Sequence, residues 1–521
     1  MESIPTDRTE SLRDAAIQGS AWTTAQVVVN KAAAAGATVV LGFLLTAEEF
    51  GVAWFAITAG QFLLVLPVVA MIDVLLASPG RIAQDAGQAQ RIASRMGGIQ
   101  AFVVVVGGIG LAAAFPDRKG LALLMAIVAV RPLMDAATVV PMSRMRINLE
   151  YPVLAKIDCV GALLSSAGSV AMAALGAGSL AIVAPPIAAI GLRAFLYRRH
   201  CGKRPKHAAE RSNHVGTALW RPFLWASLGS YVAAALGSID LIAIGLVCET
   251  RELGIYAFAA SLASQVALVV AFQAANAVQP IIGRLGHDPA RQAEGARRAL
   301  ALISAILVPL LLVQAAVGGP LIRTIWGGRW DDAVIVFQVV TLAQAAAATQ
   351  WPTAYVLKAQ GRFRTYLVIQ GGCIIAALAA YPVAAENPDW AVWVLDRLGM
   401  PVSPDGAPGV AVAMVALAMA VVATPVAAWM ALRASGITLL AVIDLLWRPV
   451  VVAVPIAAVG GSEAEAVATR HLGSALGTTV LLGIALTSAV TAVAAGVIMR
   501  RSTRADAGAV MGRIRRRLFA P

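Results

Sequence analysis

Apolar positions along the chain gather into fourteen stretches, near 21–45, 52–76, 97–116, 121–142, 154–175, 178–197, 223–247, 255–279, 299–318, 333–356, 366–384, 409–432, 449–460 and 475–499. A helix needs about 20 apolar residues to cross a bilayer, and thirteen of the stretches reach that length or come close to it. The short one, 449–460, needs the amphipathic lead-in 437–448 to complete a crossing. The pattern predicts an all-α polytopic membrane protein with about 14 transmembrane helices.

Basic residues divide unevenly between the connections. If alternate connections are assigned to opposite sides, one side collects 30 of the 41 Lys and Arg residues, from Arg8 and Arg13 to the tail beginning at Arg500. The other side keeps seven, namely Arg118, Lys119, Arg251, Arg323, Arg329, Arg397 and Arg470, while Lys31, Arg131, Arg193 and Arg448 lie within or at the ends of spans. The positive-inside rule then places both termini in the cytoplasm, which requires an even number of crossings.

Composition agrees with this reading. The chain is 59% hydrophobic, with a mean hydropathy of +0.78, more apolar surface than a soluble fold could hide from water. A net charge of +13 raises the question of nucleic acid. The basic residues are dispersed over short loops and a tail, however, so they read as topology determinants lying against anionic lipid headgroups, and no nucleic acid partner is expected. The excess of Arg over Lys carries no chemistry by itself.

The first 20 residues hold acids as well as bases and do not read as a cleaved signal peptide. Ser11 and Asp14 have the spacing of a capping box, which suggests a short amphipathic helix on the cytoplasmic surface. Cys159, Cys201, Cys248 and Cys373 are too scattered for a disulfide framework or a CxxC metal site. His200, His207, His214, His287 and His471 fall in predicted loops without the i,i+4 partner of a helical zinc site. Without a Gly-rich GKS or GKT loop for ATP phosphates, energy must come from an ion gradient, the membrane potential or the substrate's own gradient. No cofactor is expected. The connection 385–408 reads as an interfacial flap, with Trp390, Trp393, Leu395 and Leu398 suited to the headgroup layer.

An internal repeat adds information. A shift of 203 residues lays Glu49-Phe50-Gly51-Val52-Ala53-Trp54-Phe55-Ala56 on Glu252-Leu253-Gly254-Ile255-Tyr256-Ala257-Phe258-Ala259, Asp73 on Asn276, and Gly80-Arg81-Ile82 on Gly283-Arg284-Leu285. Span two thus recurs as span eight in the same membrane orientation, which implies two six-helix lobes related by an axis along the membrane normal and a transporter site between them.

At Leu44-Leu45-Thr46-Ala47-Glu48-Glu49-Phe50-Gly51 the chain resembles the L-x-P-x-x-F/Y-G turn after the first helix of Wzx-type polysaccharide flippases, members of the MOP (MATE-like) superfamily, with Ala47 in place of the usual proline. Similarity continues through Pro141 to Asp158, Leu175 to Gly178, Ser238-Ile239-Asp240, Leu253 to Tyr256 and Trp330 to Gly361. The resemblance implies a V-shaped pair of six-helix lobes plus two C-terminal helices. It also implies alternating access that carries an undecaprenyl-pyrophosphate-linked oligosaccharide or related polysaccharide precursor to the outer leaflet of the bacterial cytoplasmic membrane, and a cavity lined by cations. The expected division is a cytoplasmic segment 1–20, an N-lobe 21–200, a connecting loop 201–222, a C-lobe 223–432, two further helices 433–499 and a basic tail 500–521. A polysaccharide polymerase and a chain-length regulator are the protein partners it suggests, besides membrane lipids.

Depth in the bilayer picks out candidate residues independently. Lys31 and Arg131 each lie about ten residues into a span, roughly 15 Å deep at about 1.5 Å per residue, too far for comfortable snorkelling. Both are candidates for holding a pyrophosphate; Lys31 could instead have a structural partner, and Asp135, one turn beyond Arg131, could neutralise it. Gln26 and Asn30 could flank Lys31 and bind sugar hydroxyls or hydrogen-bond to another helix, and Gln61, Gln265 and Gln273 present the same choice. Asp73 and Asn276 could gate or cap, and Asp240 could bind a coupling proton or cation or pair with a base. Asp444 and Arg448, beside Trp447, read as a pair on an interfacial helix. A small-molecule or cation antiporter on the same fold and a membrane polymerase or ligase are the competing functions. The antiporter would be expected to have an acid-dominated cavity, and the enzyme a large extracytoplasmic loop.

Overall fold

The computed structural model describes residues 6–64, 67–77, 82–201, 219–283, 289–360, 362–433, 436–470 and 474–499; some helix side chains, including that of Asn276, lie outside the description. The described residues form helices joined by short turns, with no strand among them. Among the described residues ten helices are long and apolar enough to cross a membrane, or eleven if one bent pair is taken as a single span. The chain is therefore a multi-pass membrane protein.

Contacts divide it into two compact units, Met1–Gly245 and Leu246–Pro521. The first contains α1 (Thr6–Leu44), α2 (Ala47–Leu63), α3 (Ala70–Ala77), α4 (Ile82–Ala114), α5 (Leu121–Val128), α6 (Arg131–Ile147), α7 (Tyr151–Ala174), α8 (Leu180–Cys201) and α9 (Trp220–Leu236), and α10 (Ile239–Val247) leads out of it. The second contains α11 (Thr250–Gly283), α12 (Pro289–Trp326), α13 (Asp331–Ala346), α14 (Gln350–Ala359), α15 (Phe363–Glu386), α16 (Asp389–Arg397), α17 (Ala407–Leu432), α18 (Leu439–Arg470) and α19 (Ala475–Met499).

Of the four expected spans missing from the ten, three are interrupted in the structure and the fourth, span eight, lies partly outside the described residues. Span two is divided between α2 and α3 around Pro67, which has no N–H to continue the hydrogen-bond ladder. Span seven bends by 57° between α9 and α10, at Gly237-Ser238. Span ten breaks between α13 and α14, just before Pro352. Span eight is one 34-residue helix, α11, many of whose later side chains lie outside the description. Other boundaries also move. The N-terminal helix is continuous with span one in the 39-residue α1, about 58 Å long at about 1.5 Å per residue, so it extends well beyond a hydrocarbon core of about 30 Å. Residues 437–448 do not form a separate interfacial helix, because α18 runs unbroken through 32 residues.

The repeat is visible in three dimensions. The Thr46 N–H donates to Glu49 at 2.9 Å, and at the equivalent positions the Glu249 N–H donates to Glu252 at 2.9 Å. Each glutamate closes a helix N-terminus. Phe55 and its counterpart Phe258 are both fully buried, each against an aromatic residue from the far end of the following long helix: Phe115 at 5.5 Å and Trp326 at 5.2 Å between ring centroids. Correspondence fails at Pro67, whose counterpart is Val270; the first copy is broken there and the second is continuous.

Within the first unit, α3, α4, α6 and α9 bury a shared core that includes Met71, Ala89, Val139 and Phe223. At the break after α2, α9 bonds to exposed carbonyls: Tyr231 Oη donates to Phe62 O at 3.1 Å, and Ser227 Oγ donates at 3.3 Å to Pro67 O, which also accepts the Ala70 N–H at 3.1 Å. In the second unit α18 and α19 pack on α12 through small residues. A Cβ at Gly496 would stand 2.9 Å from the Ala305 carbonyl oxygen, so only glycine lets these backbones approach so closely. In the expected flap, α16 exposes Trp390, Trp393 and Leu398 but buries Leu395, because one face of so short an amphipathic helix packs on α17.

Candidate functional site

Two prolines shape α6 around the principal polar cluster of the first unit. Pro132 cannot donate to the preceding turn, so within the span Leu121–Ile147 the hydrogen-bond ladder is interrupted between α5 and α6, while Ala129 and Val130 keep right-handed helical angles, and Arg131 stands in the first turn of α6. Asp135 lies one turn further on the same face, with Arg131 Nε 3.5 Å from Asp135 Oδ2. Of the two alternatives the sequence left open for Arg131, the structure shows the i,i+4 neighbour Asp135 beside it. Pro141 leaves the Ala137 carbonyl without its helical donor, and Arg198 Nε fills the gap at 3.2 Å.

Asp158 on α7 joins three helices. It is buried, and it accepts hydrogen bonds from Tyr197 Oη of α8 at 2.5 Å and from Gln26 Nε2 of α1 at 2.7 Å. Arg193 Nη1 lies 3.6 Å from its Oδ1. Arg193 and Tyr197 are one turn apart on α8, so both reach the same carboxylate. Gly161, just under one turn beyond Asp158, provides the slot for the arginine stem: a Cβ there would meet Arg193 Cγ and Cδ at 2.9 Å.

These groups enclose a cavity of about 390 Å³, a size at the lower end of small-molecule sites. Its charged lining is Asp73 from α3, Arg131, Asp135 and Arg146 from α6, Asp158 from α7 and Arg193 from α8, so three arginines face three aspartates. Among the described residues no carboxylate lies within ion-pair distance of Arg146. Guanidinium groups suit phosphate and carboxylate because they present several donors in a planar fork. The arrangement can hold a polyanion without leaving an excess of positive charge when empty.

The other predicted residues are dispersed. Lys31 and Asn30 lie on α1, half-buried, and neither lines the cavity; the Asn30 side-chain oxygen is buried without a hydrogen-bond partner. Gln26 is tied to Asp158, and Gln61 accepts a hydrogen bond from Ser238 Oγ at 3.1 Å, a helix-to-helix contact. Gln265 is in the second unit, on α11, with its side-chain oxygen buried and unpartnered. Asp240 stands at the start of α10, where its Oδ1 accepts the Leu241 N–H at 2.8 Å. Asp73 is exposed in the first turn of α3 and lines the cavity; the side chain of Asn276 lies outside the described residues, as does that of Gln273. Asp444 and Arg448 do form a pair, at 2.6 Å. His200 ends in the last turn of α8 rather than in a loop and contacts Glu150 at 2.8 Å; the other four histidines lie outside the described residues.

Depth alone did not single out Asp158, Arg193, Tyr197 or Arg146, since each lies near the end of a predicted span. A hairpin argument would have found part of the cluster. Asp158 and Tyr197 each stand 19 residues from the Ala177–Gly178 turn, so antiparallel packing of α7 on α8 places them at one level.

No curated protein sequence matches the chain. Two solved structures share its fold. One is an inward-facing multidrug resistance MATE family transporter of the MOP superfamily, with TM-score 0.57 and 12% identity over 81% of this chain and 96% of that one. The other is the lipid II flippase MurJ in an inward closed conformation, with TM-score 0.56 and 12% identity over 91% of this chain and 98% of that one. A family model described as polysaccharide biosynthesis protein matches residues 40–335. That match covers more than half of the sequence, and on it the chain belongs to this polysaccharide biosynthesis family, with a fold shared with the MATE transporter and MurJ structures.

Proposed function

We propose that the protein is a flippase that carries an undecaprenyl-pyrophosphate-linked oligosaccharide, or a related polysaccharide precursor, across the bacterial cytoplasmic membrane by alternating access. In this reading it crosses fourteen times with both termini in the cytoplasm, performs no catalysis of its own, and delivers its cargo to a polysaccharide polymerase and a chain-length regulator. The observation that carries the reading is the cluster of Arg131, Arg146 and Arg193 around one cavity. Arginine is costly only toward the centre of a bilayer, about 2.5–3.5 kcal/mol on insertion scales, and Arg146 and Arg193 stand nearer span ends; what supports an anionic ligand is that three guanidinium groups converge on one cavity. The basic-loop topology puts Arg146 and Arg198 at the cytoplasmic ends of their helices. The cavity would then receive a diphosphate from the inner leaflet, where such a precursor is made. Lys31, on the neighbouring α1, is assigned to the path of the anionic head.

Exchange of Arg131 or Lys31 for Gln tests this in a cell that depends on the protein for glycan export. Abundance should stay near wild type while export falls sharply, and Lys31→Arg should retain more activity than Lys31→Gln. Normal export by both Gln variants at wild-type abundance would rule the cationic path out. The three aspartates in the cavity favour a second reading, a small-molecule or cation antiporter. It would predict drug or dye efflux that survives Arg131→Gln and is lost with Asp135→Asn.

A further inference from the structure

Among the described residues most ion pairs away from the cavity close tightly: Arg251 to Asp405 at 2.6 Å, Arg448 to Asp444 at 2.6 Å and Arg323 to Glu465 at 2.8 Å, with Arg251 also 3.4 Å from a second carboxylate, Asp332. The shorter distances are those of charge-assisted hydrogen bonds. Inside the cavity, Arg131 to Asp135 is 3.5 Å and Arg193 to Asp158 is 3.6 Å, too long for that bond. Arg131 Nε is buried with no hydrogen-bond partner, although a carboxylate stands beside it. These two aspartates neutralise their arginines without saturating the donors. Arg146, on the same wall, has no carboxylate within ion-pair distance among the described residues.

We propose that Asp135 and Asp158 are resident counter-anions that an incoming diphosphate displaces. This rests on the reading of the cavity as an anion site. Arg146, without a carboxylate at ion-pair distance among the described residues, meets the diphosphate first; Arg131 and Arg193 then turn donors from carboxylate to phosphate oxygen. The exchange keeps the guanidinium groups compensated whether the cavity is empty or filled. It also limits affinity, because each phosphate contact replaces a standing attraction, and a cargo held by bare arginines would be slow to leave on the far side. Asp158 has a structural duty as well, through Gln26 and Tyr197, whereas Asp135 makes no comparable side-chain bonds to other helices among the described residues, which makes it the cleaner residue to alter.

The test is titration of the purified full chain in nanodiscs with inorganic pyrophosphate, read by calorimetry, for wild type, Asp135→Asn, Asp158→Asn and the double variant Arg131→Gln with Asp135→Asn. Asp135→Asn should bind pyrophosphate roughly fivefold tighter or more, within the range of typical coupling between sites, and the double variant should lose the gain. Asp158→Asn should tighten binding in the same direction and serves as the second variant if the first does not stay monodisperse. If wild type binds and the Asn variants bind equally or more weakly, the aspartates hold their arginines in place rather than mask them, and the proposal fails while the anion site stands. If neither wild type nor any variant binds, the anion site fails and the proposal with it.

Discussion

Replacing Asp158 with Ala should be the most damaging single substitution in the first unit that leaves the backbone untouched. The change strands three groups at once: the Gln26 amide at 2.7 Å, the Tyr197 hydroxyl at 2.5 Å and the Arg193 guanidinium at 3.6 Å. Each interhelical hydrogen bond within a membrane contributes about 0.6 kcal/mol on average and up to about 1.7. Losing one partner of a buried ion pair typically costs about 3–5 kcal/mol, because the other charge stays behind. Arg193 keeps some access to the cavity, which lowers its share, so we expect a total near 3–4 kcal/mol. Tyr197→Phe removes one hydrogen bond and should cost about 1 kcal/mol. Asp158→Asn keeps an acceptor for that hydroxyl and should fall between the two. The assay is reversible unfolding in bicelles, with Gln26→Ala added to complete a double-mutant cycle. Stability of Asp158→Ala within about 0.5 kcal/mol of wild type would refute the hub, as would Tyr197→Phe costing as much as the loss of the carboxylate.

Two other perturbations reach different parts of the account. Gly161→Ala would put a Cβ 2.9 Å from the Arg193 stem, so that side chain must move; we expect weakened pyrophosphate binding with little loss of thermal stability, and unchanged binding would show that the slot has no role. On a background without the four native cysteines, single Cys probes at Gly202 and Ala507 should react only from the cytoplasm and one at Ser403 only from outside. External labelling at position 507 would break the even-crossing topology.

Much of the fold was legible in the sequence because bilayer thickness, apolar length and the positions of prolines and glycines are all one-dimensional quantities. The match of Glu49 with Glu252 and of Phe55 with Phe258 could be read from a shift in register, and both pairs occupy equivalent places in the folded chain. What a hydropathy reading passes over is interruption within an apolar run. Pro67 and Pro132 each sit inside a stretch apolar enough to count as one span; the missing N–H divides the helix near Pro67 and interrupts only the hydrogen-bond ladder before Pro132. That interruption puts Arg131 in the first turn of α6, one turn before Asp135, so the environment of the arginine was hidden by the same omission. Asp158, Arg193 and Tyr197 were hidden for another reason: near a span's end a polar residue has an inexpensive route to water, and only the pairing of α7 with α8 shows that these three face one another instead. Lys31 illustrates the converse. Its depth was evident from its position in span one, but depth does not say which neighbour a helix face meets, and the cavity walls are formed by other residues.

The central claim is that the protein moves a diphosphate-linked glycolipid and uses the cavity arginines to do so. Its most direct test is a flipping assay in proteoliposomes that contain the purified protein and a fluorescent undecaprenyl-pyrophosphate-linked oligosaccharide, read by exposure of the label to an impermeant quencher. The account predicts transfer well above protein-free vesicles, reduced at least tenfold in Arg131→Gln and in Arg146→Gln at equal protein per vesicle, corresponding to at least about 1.4 kcal/mol in the rate-limiting barrier. Transfer no faster than in protein-free vesicles under an imposed ion gradient and membrane potential, or transfer unaffected by both substitutions, would contradict it.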